Sequence, residues 1–349
     1  FPMCYDKGIL GRPFMFGYAS SEYDKHVYDE KLKDFLPDSF IDAHTHVYPA
    51  SVMKNREPDY WPDRVAFENP IEDLKQTYAD MFPDKKVTPV IFGNPKGDIA
   101  EGNEYCSRVS KREKLPALYL THYNMSGEEL ERNVINGGFM GLKPYFCNAR
   151  IGADPADADI FDFLPHEHLK IADKYGWVIM LHVSKRARLR DKSNVRQLME
   201  IEQKYPNVKL IVAHVGRAYC EEDLGDAFDT LKKSEKMLFD FTANTLSAAM
   251  ERCVEAVGVK RLMFGSDLPI TKMKMYRVTE NGNYVNVVPR GLYGDLSNAS
   301  HMRETDEKNV TNFMYEELLA FKKCATDLSL KKEDVEFIMR RNAEKVFNL

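Results

Sequence analysis

Five side chains in this sequence are of metal-ligand type and recur at regular places. They stand in four phrases: Asp42-Ala43-His44-Thr45-His46, Leu181-His182-Val183, Ala213-His214-Val215-Gly216 and Gly265-Ser266-Asp267-Leu268-Pro269. Each phrase follows a short apolar run, so each ligand falls where a buried strand would end. His44 and His46 lie two residues apart, and alternate residues of a strand share a face. Both imidazoles can therefore reach one ion, and Asp42 is expected on the same face, two residues earlier and deeper. Neutral imidazole suits zinc, iron, nickel or copper, and Asp267 adds the carboxylate of a mixed site. Singly, a histidine after a strand is more often a satisfied buried residue, and an aspartate there is often a helix cap. Together, in one chain and at successive strand ends, they argue for one site.

Three protein ligands leave a catalytic metal an open position for water, whose pKa the metal lowers toward neutrality. Asp267 can bind the ion and also accept the proton of that water. His214 need not be a ligand; as an acid–base partner it would hydrogen-bond the water or the developing oxyanion. Lys143, in Gly141-Leu142-Lys143-Pro144-Tyr145, ends another apolar run. It is expected to donate to a substrate oxygen or carboxylate; if carbamylated it would instead bridge two metals. Tyr145 and Arg217 are the further expected substrate contacts, because arginine grips carboxylates through paired hydrogen bonds. His122, Tyr123, Arg150, Arg186 and Tyr219 also follow strands, with an ordinary solvated or ion-paired role as the alternative for each. The substrate class this predicts is a small anion.

These groups need strands to hold them. Candidate strands are 40–43, 87–92, 115–120, 141–146, 177–181, 208–213, 238–241 and 262–265, each short, apolar and bounded by polar residues, Gly or Pro. Helical periodicity lies between them, for example over 70–81, 128–136, 165–175, 193–205 and 246–257. Eight strands alternating with helices predict an α/β fold of the (β/α)8 TIM-barrel type, with sites at the C-terminal ends of the strands. No Gly-x-Gly-x-x-Gly follows the first strand, which argues against a dinucleotide fold. Residues 1–38 read as an N-terminal arm, with a loose helix over 21–35 packed on the main domain or on a partner subunit of a homo-oligomer. Residues 39–349 read as the barrel. Within it, 46–69 is a long first loop and 269–313 a longer insertion after the eighth strand, both without evident secondary structure and both at the barrel mouth. Two helices, over 311–326 and 331–347, close the chain.

The bulk composition narrows the partners. A chain of 349 residues with 44% hydrophobic and 30% charged residues is ordinary for a soluble protein. The net charge of −5 and the lack of a basic stripe speak against nucleic acid. The one compact basic run, Arg186-Ala187-Arg188-Leu189-Arg190, suits a local anion contact. No apolar stretch is long enough for a membrane helix. Six scattered cysteines with no C-x-x-C pair exclude a zinc knuckle or dithiol motif and suit a cytoplasmic location. The start at Phe1 leaves room for a removed leader.

The quoted phrases, with Gly141-Leu142-Lys143 and the tail Arg341-Asn342-Ala343-Glu344-Lys345-Val346-Phe347, resemble the amidohydrolase superfamily. The branch most similar contains aminocarboxymuconate-semialdehyde decarboxylase and related lactonases, and the resemblance runs from about Ser39 to the C-terminus. It implies one divalent metal bound by His44, His46, His182 and Asp267, with His214 positioning or deprotonating the water. Zinc is the expected ion, with manganese or iron fitting nearly as well. Hydrolysis of an ester, lactone or amide in a small carboxylated substrate is the first expectation. Non-oxidative decarboxylation uses the same cage and is the second. A phosphoesterase with several metals would need further ligands, and His26, His166, His168 and His301 do not fall at strand ends. A non-catalytic metal- or ligand-binding barrel is the remaining alternative.

Overall fold

The computed structural model describes residues 19–54, 60–150 and 152–349. Eight strands run in chain order: β1 Ser39–His46, β2 Lys86–Phe92, β3 Tyr119–Leu120, β4 Gly141–Lys143, β5 Val178–Leu181, β6 Lys209–Val212, β7 Leu238–Asp240 and β8 Leu262–Met263. β1 pairs with β2, and β3 to β8 pair in sequence, all in parallel. Two seams complete the ring. Between β2 and β3, the Ile91 and Leu118 N–H groups donate to Pro116 and Ile91 at 3.0 Å each. Between β8 and β1, Ala43 N–H donates to the Phe264 carbonyl at 3.1 Å and His46 N–H to Leu268 at 2.9 Å. The sheet is thus a closed (β/α)8 barrel, as the sequence predicts.

Alternation sorts the side chains into two cores. Ile41, Ala43, Val90, Leu118, Val178, Met180, Ile211 and Met263 fill the barrel interior. Phe40, Ile91, Leu142, Ile179, Leu210, Phe239 and Phe264 face the surrounding helices. The helix Ile71–Met81 shows why those helices dock: Ile71, Leu74, Tyr78 and Met81 recur on one face and all are buried. The helix Gly127–Gly137 is capped by the Ser126 hydroxyl and ends at Gly138 with φ 74°.

The tail forms the expected helices, Phe313–Asp327 and then a helical run from Lys332 to Phe347. Ala343, Val346 and Phe347 belong to the interior core and plug the end of the barrel opposite the ligand phrases. Asn342 locks this plug by donating to the Val259 and Leu262 carbonyls. The described part of the arm packs on the same chain. Its helix Glu22–Val27 is capped by Ser21, Tyr28 lies against Phe82 and Tyr315, and buried Asp24 accepts hydrogen bonds from Lys274 and Thr311. Residues 1–18 of the expected arm, including Cys4, and 55–59 of the first loop lie outside the described residues.

The insertion corrects the reading of 269–313 as structureless. It carries a three-stranded sheet of β9 Tyr276–Glu280, β10 Asn283–Pro289 and β11 Met302–Thr305. β9 and β10 form a hairpin through Asn281 and Gly282, both at positive φ (51° and 71°). An Asn-Gly turn between β-branched runs favours that geometry, so the signal was present in the sequence. Tyr293, also in the insertion, packs edge-on against Trp61 of the first loop. No helix among the described residues is long and apolar enough to cross a membrane.

The plug makes a stability prediction. Phe347 is 1% exposed, and truncating such a side chain removes both burial and packing. Phe347→Ala should lower the unfolding free energy by about 3–5 kcal/mol in urea titrations. A loss below about 1 kcal/mol would place the tail outside the core.

Candidate metal centre

The register of β1 decides where its histidines point. Asp42 pairs with Pro89 and Thr45 with Ile91, so β1 carries one extra residue between them. A bulge of this kind re-aims side chains. Before it, Ile41 and Ala43 face inward; after it, His44 and His46 do. This corrects the expectation that Asp42 shares their face. Its carboxylate accepts from the Tyr78 hydroxyl at 2.8 Å and the Ser266 N–H at 2.8 Å. Asp42 therefore ties β1 to the outer helix and to the chain after β8. Burial raises its carboxyl to about 7, with the Ser266 and Tyr78 hydrogen bonds partly opposing.

His44, His46 and Asp267 come together as a group that could hold a metal ion, with ligand atoms within 4.8 Å of one another. His44 Nε2 lies 3.5 Å and His46 Nε2 3.2 Å from Asp267 Oδ1. His182 and His214 stand beside this trio, outside the 4.8 Å group. The His214 ring centroid is 4.9 Å from that of His44 and 4.8 Å from that of His182. The structure thus gathers all five sequence-predicted residues at one barrel mouth and draws three of them tightest.

The Nδ1 atom of every one of these imidazoles meets an oxygen acceptor. The partners are Asp240 Oδ2 for His44 at 3.1 Å, the Gly93 carbonyl for His46 at 2.8 Å, the Val183 carbonyl for His182 at 3.2 Å and the Thr242 carbonyl for His214 at 2.8 Å. A carbonyl or carboxylate accepts only, so Nδ1 carries the proton and Nε2 keeps its lone pair. Two of those lone pairs then face a carboxylate oxygen at 3.2–3.5 Å. Acceptors set against acceptors require a cation or a proton between them. His44 Nε2 is buried with no hydrogen-bond partner. Metal-binding histidines have this outer support as a rule, so the residues fit a divalent ion.

The backbone is bent to reach this arrangement. His214, Val215, Gly216 and Arg217 all have φ between 47° and 63°, and Asp267 has φ 62°. For non-glycine residues the left-handed region costs about 1–2 kcal/mol each, and such outliers gather at functional sites. Gly216 lies where a Cβ would come within 2.5 Å of Leu189. Gly265 lies where one would come within 2.6 Å of His44 Cβ and 2.4 Å of the Thr242 hydroxyl.

Sequence reasoning missed Asp240. It sits at the end of β7, fully buried, and besides His44 it accepts from the His214 and Thr242 N–H groups at 2.7 and 3.2 Å. An aspartate inside the apolar run 238–241 was the available signal. Glu317, on the helix Phe313–Asp327, was also missed. It is fully buried and accepts from Ala243 N–H at 3.0 Å. Burial, together with the negative charge of Asp42, pushes its carboxyl well above the ordinary range.

Of the three expected substrate contacts, Tyr145 lines the cavity above the metal group, with its hydroxyl 3.2 Å from His46 Nε2. Lys143 does not line it. Inward alternation from Gly141 places it one layer below, where its Nζ has no hydrogen-bond partner and lies over the rings of Phe92 and Tyr145. Arg217 does not line it either, because its Nη1 turns to the Val183, Ser184 and Lys185 carbonyls at 3.3–3.5 Å. Arg150 and Arg186 lie at the surface against Asp162 and Asp154. Arg188 of the basic run is internally neutralised by Asp223. The cavity has a volume of about 330 Å³, with His46, His182, His214 and Asp267 at its base. Its walls are Tyr48, Tyr60, Trp61, Asn94 and Lys96. Lys96 follows β2 in a Gly-Asn-Pro-Lys turn that the sequence reading passed over.

Charge in the site follows from burial. Burial, then the nearby Lys143 charge, hold His44 well below the usual histidine value. Burial does the same to His182 and, less strongly, to His214. Burial works to raise the Asp267 carboxyl and the basic imidazoles of His46, His44 and His214 around it work to lower it, with the net shift below the usual range.

The sequence profile of the amidohydrolase family matches residues 125–349, well over half of the chain. The chain belongs to the amidohydrolase family. His182, His214 and Asp267 fall inside the matched span, whereas His44 and His46 precede it. No curated protein matches this chain in sequence. Among solved structures, 2,6-dihydroxybenzoate decarboxylase from Rhizobium is similar with a TM-score of 0.55 at 13% identity, over 89% of this chain and 99% of the other. A probable 2-pyrone-4,6-dicarboxylic acid hydrolase from Acinetobacter baumannii gives 0.58 at 15%, over 89% and 99%. 5-Carboxyvanillate decarboxylase from Sphingomonas paucimobilis gives 0.52 at 12%, over 90% and 100%. At these identities the likeness shows the barrel fold.

The supports of this site yield two predictions. In Asp240→Asn an amide facing His44 Nδ1–H would set donor against donor and drive the proton to Nε2. Zinc affinity, titrated against a chromophoric chelator, should fall about 10–100-fold; unchanged affinity would remove Asp240 from the ligand support. Lys143 is held down at about 8 by burial, with Asp240 and Asp267 partly opposing, against an ordinary 10.5. Between those values the unfolded chain binds the proton and the folded chain does not, so stability rises with pH across that window. Metal-free Lys143→Met should therefore gain on wild type at pH ~6.5, and that gain should shrink by about 2 kcal/mol at pH ~9.5. An equal gain at both would mean the amine is not desolvated.

Proposed function

We propose that this protein is a metal-dependent hydrolase of a small carboxylated substrate whose labile bond is an ester, lactone or amide. The observation that carries the reading is the convergence of unprotonated Nε2 atoms on the Asp267 carboxylate, each imidazole fixed through Nδ1. His44, His46 and Asp267 would hold one divalent ion, His182 would complete the ligand set, and zinc suits these donors best. Bound there, the ion supplies Lewis acidity and makes water acidic enough to lose a proton near neutral pH.

The chain's own groups do the rest. Asp267, anionic at neutral pH, takes the proton of the attacking water. His214, neutral and with Nε2 free, receives that proton and passes it to the leaving group. The Tyr145 hydroxyl donates to the oxyanion as it forms. Lys96, beside the Tyr60 hydroxyl at 2.8 Å, is the cation on the cavity wall that meets a substrate carboxylate. Tyr48 and Trp61 give that wall flat apolar faces suited to a ring.

Non-oxidative decarboxylation is the second reading. It is supported by the fold likeness to two decarboxylases and by the same cage of donors. The solved hydrolase with this fold supports the first.

Metal content is the deciding measurement. Wild type prepared without chelator should hold about one equivalent of divalent metal and His44→Ala less than about a fifth of that, with turnover lost in His44→Ala and Asp267→Ala. Failure to bind zinc, manganese or iron on reconstitution would overturn the proposal. Turnover in ¹⁸O-labelled water separates the two reactions: label in the product acid marks hydrolysis, carbon dioxide release without label marks decarboxylation.

A further inference from the structure

Ala243 is the point where the insertion touches the active-site backbone. It follows Thr242, whose carbonyl accepts the His214 Nδ1 proton at 2.8 Å. Ala243 is buried and has φ 50°, a conformation an alanine does not hold unaided. Its two peptide groups are gripped from opposite directions. Its N–H donates to Glu317 Oε2 at 3.0 Å, and its carbonyl accepts from Arg277 Nη1 at 3.1 Å. Arg277 belongs to β9 of the insertion, and Glu317 to the helix that follows it.

Arg277 is itself held rigidly. Its Nε donates to Asn286 Oδ1 at 2.9 Å across the hairpin. Its guanidinium lies 4.6, 4.8 and 4.9 Å from the ring centroids of Tyr219, Tyr284 and Phe313. It makes no ion pair among the described residues, so the Ala243 carbonyl and the aromatic rings are what it serves. Tyr219 in turn lies edge-on to His214, centroids 6.3 Å apart. Both ends of the grip therefore end at one imidazole.

We propose that Arg277 and Glu317 are positioning residues for His214: by clamping Ala243 they fix the Thr242 carbonyl that keeps the His214 proton on Nδ1 and its Nε2 open to the cavity. The proposal rests on the acid–base role given to His214 above and adds the insertion as the part that enforces it. Without the clamp, Ala243 relaxes toward ordinary φ, the Thr242 carbonyl turns away, and the imidazole divides between two tautomers. Only one of these can accept a proton from the cavity.

The test uses the full-length, zinc-reconstituted chain with ¹⁵N-labelled histidine, His214 being assigned by its loss in His214→Gln. Wild type should show His214 protonated at Nδ1. In Arg277→Met and Glu317→Leu the His214 signal should shift toward a tautomer mixture while those of His44, His46 and His182 stay in place. The same variants should lose about 10–100-fold in kcat with KM within about threefold. Glu317→Gln keeps an oxygen to accept from Ala243 N–H and should recover at least about half of wild-type kcat and the wild-type signal. An unshifted His214 signal in both Arg277→Met and Glu317→Leu overturns the proposal, as does a rise in KM with kcat unchanged, which would put Arg277 on the substrate. If His214→Gln keeps full turnover, the acid–base reading fails, and the tautomer measurement still decides the clamp.

Discussion

The backbone seam between β1 and β8 joins the fold to its site. Ala43 and His46 donate across it to Phe264 and Leu268, and Asp267 N–H donates back to the His44 carbonyl at 2.8 Å. These bonds remove the sheet edges that an open eight-stranded array would expose. The same bonds bring His44 and His46, from one end of the barrel sequence, against Asp267 from the other. A chain that failed to close would lose this His-His-Asp group with the barrel. Gly265 makes the approach possible, because any side chain there would collide with His44 and Thr242.

Around that seam the molecule spends stability on order. Left-handed residues at His214, Ala243 and Asp267 and the buried carboxyl groups of Asp42, Asp240 and Glu317 are each unfavourable alone. Each is offset by hydrogen bonds to a neighbour that also needs support. Asp240 satisfies His44, His214 and Thr242 together, and Asp42 satisfies Ser266 and Tyr78. The resulting network is rigid because every partner is shared. Dense apolar packing of the helices on the outer face of the barrel supplies the stability that this order consumes.

Much of this was legible in the sequence. Short continuous apolar runs placed all eight strands, because buried parallel strands need continuous hydrophobic character. Strand ends located His44, His46, His182, His214 and Asp267, because ligand type and position coincide there. The orientation of Asp42 was not legible, since a bulge adds a residue without changing composition. Asp240 was hidden for a related reason: one aspartate in a short apolar run reads as the end of a strand. Lys143 and Arg217 were placed at the right strand ends, but Lys143 lies a layer deeper and Arg217 turns to backbone carbonyls. Which layer of a barrel a side chain reaches depends on the stagger between strands, which no single strand encodes. The hairpin of β9 and β10 had a local signal in Asn281-Gly282. Its contacts with the site did not, because its partners lie over 30 residues away in Ala243 and over 50 in Tyr219.

The edge-on contact of Trp61 with Tyr293 joins the first loop to the insertion. Trp61 faces the cavity, and Tyr293 also accepts a hydrogen bond from Lys274 N–H at 2.6 Å, anchoring it to the root of the insertion. The shape of the cavity wall is therefore a property of the two loops as a matched pair. Grafting either one alone into another barrel would carry over its residues but not the shape of the wall, and recombination between relatives would keep the pair together or lose it together.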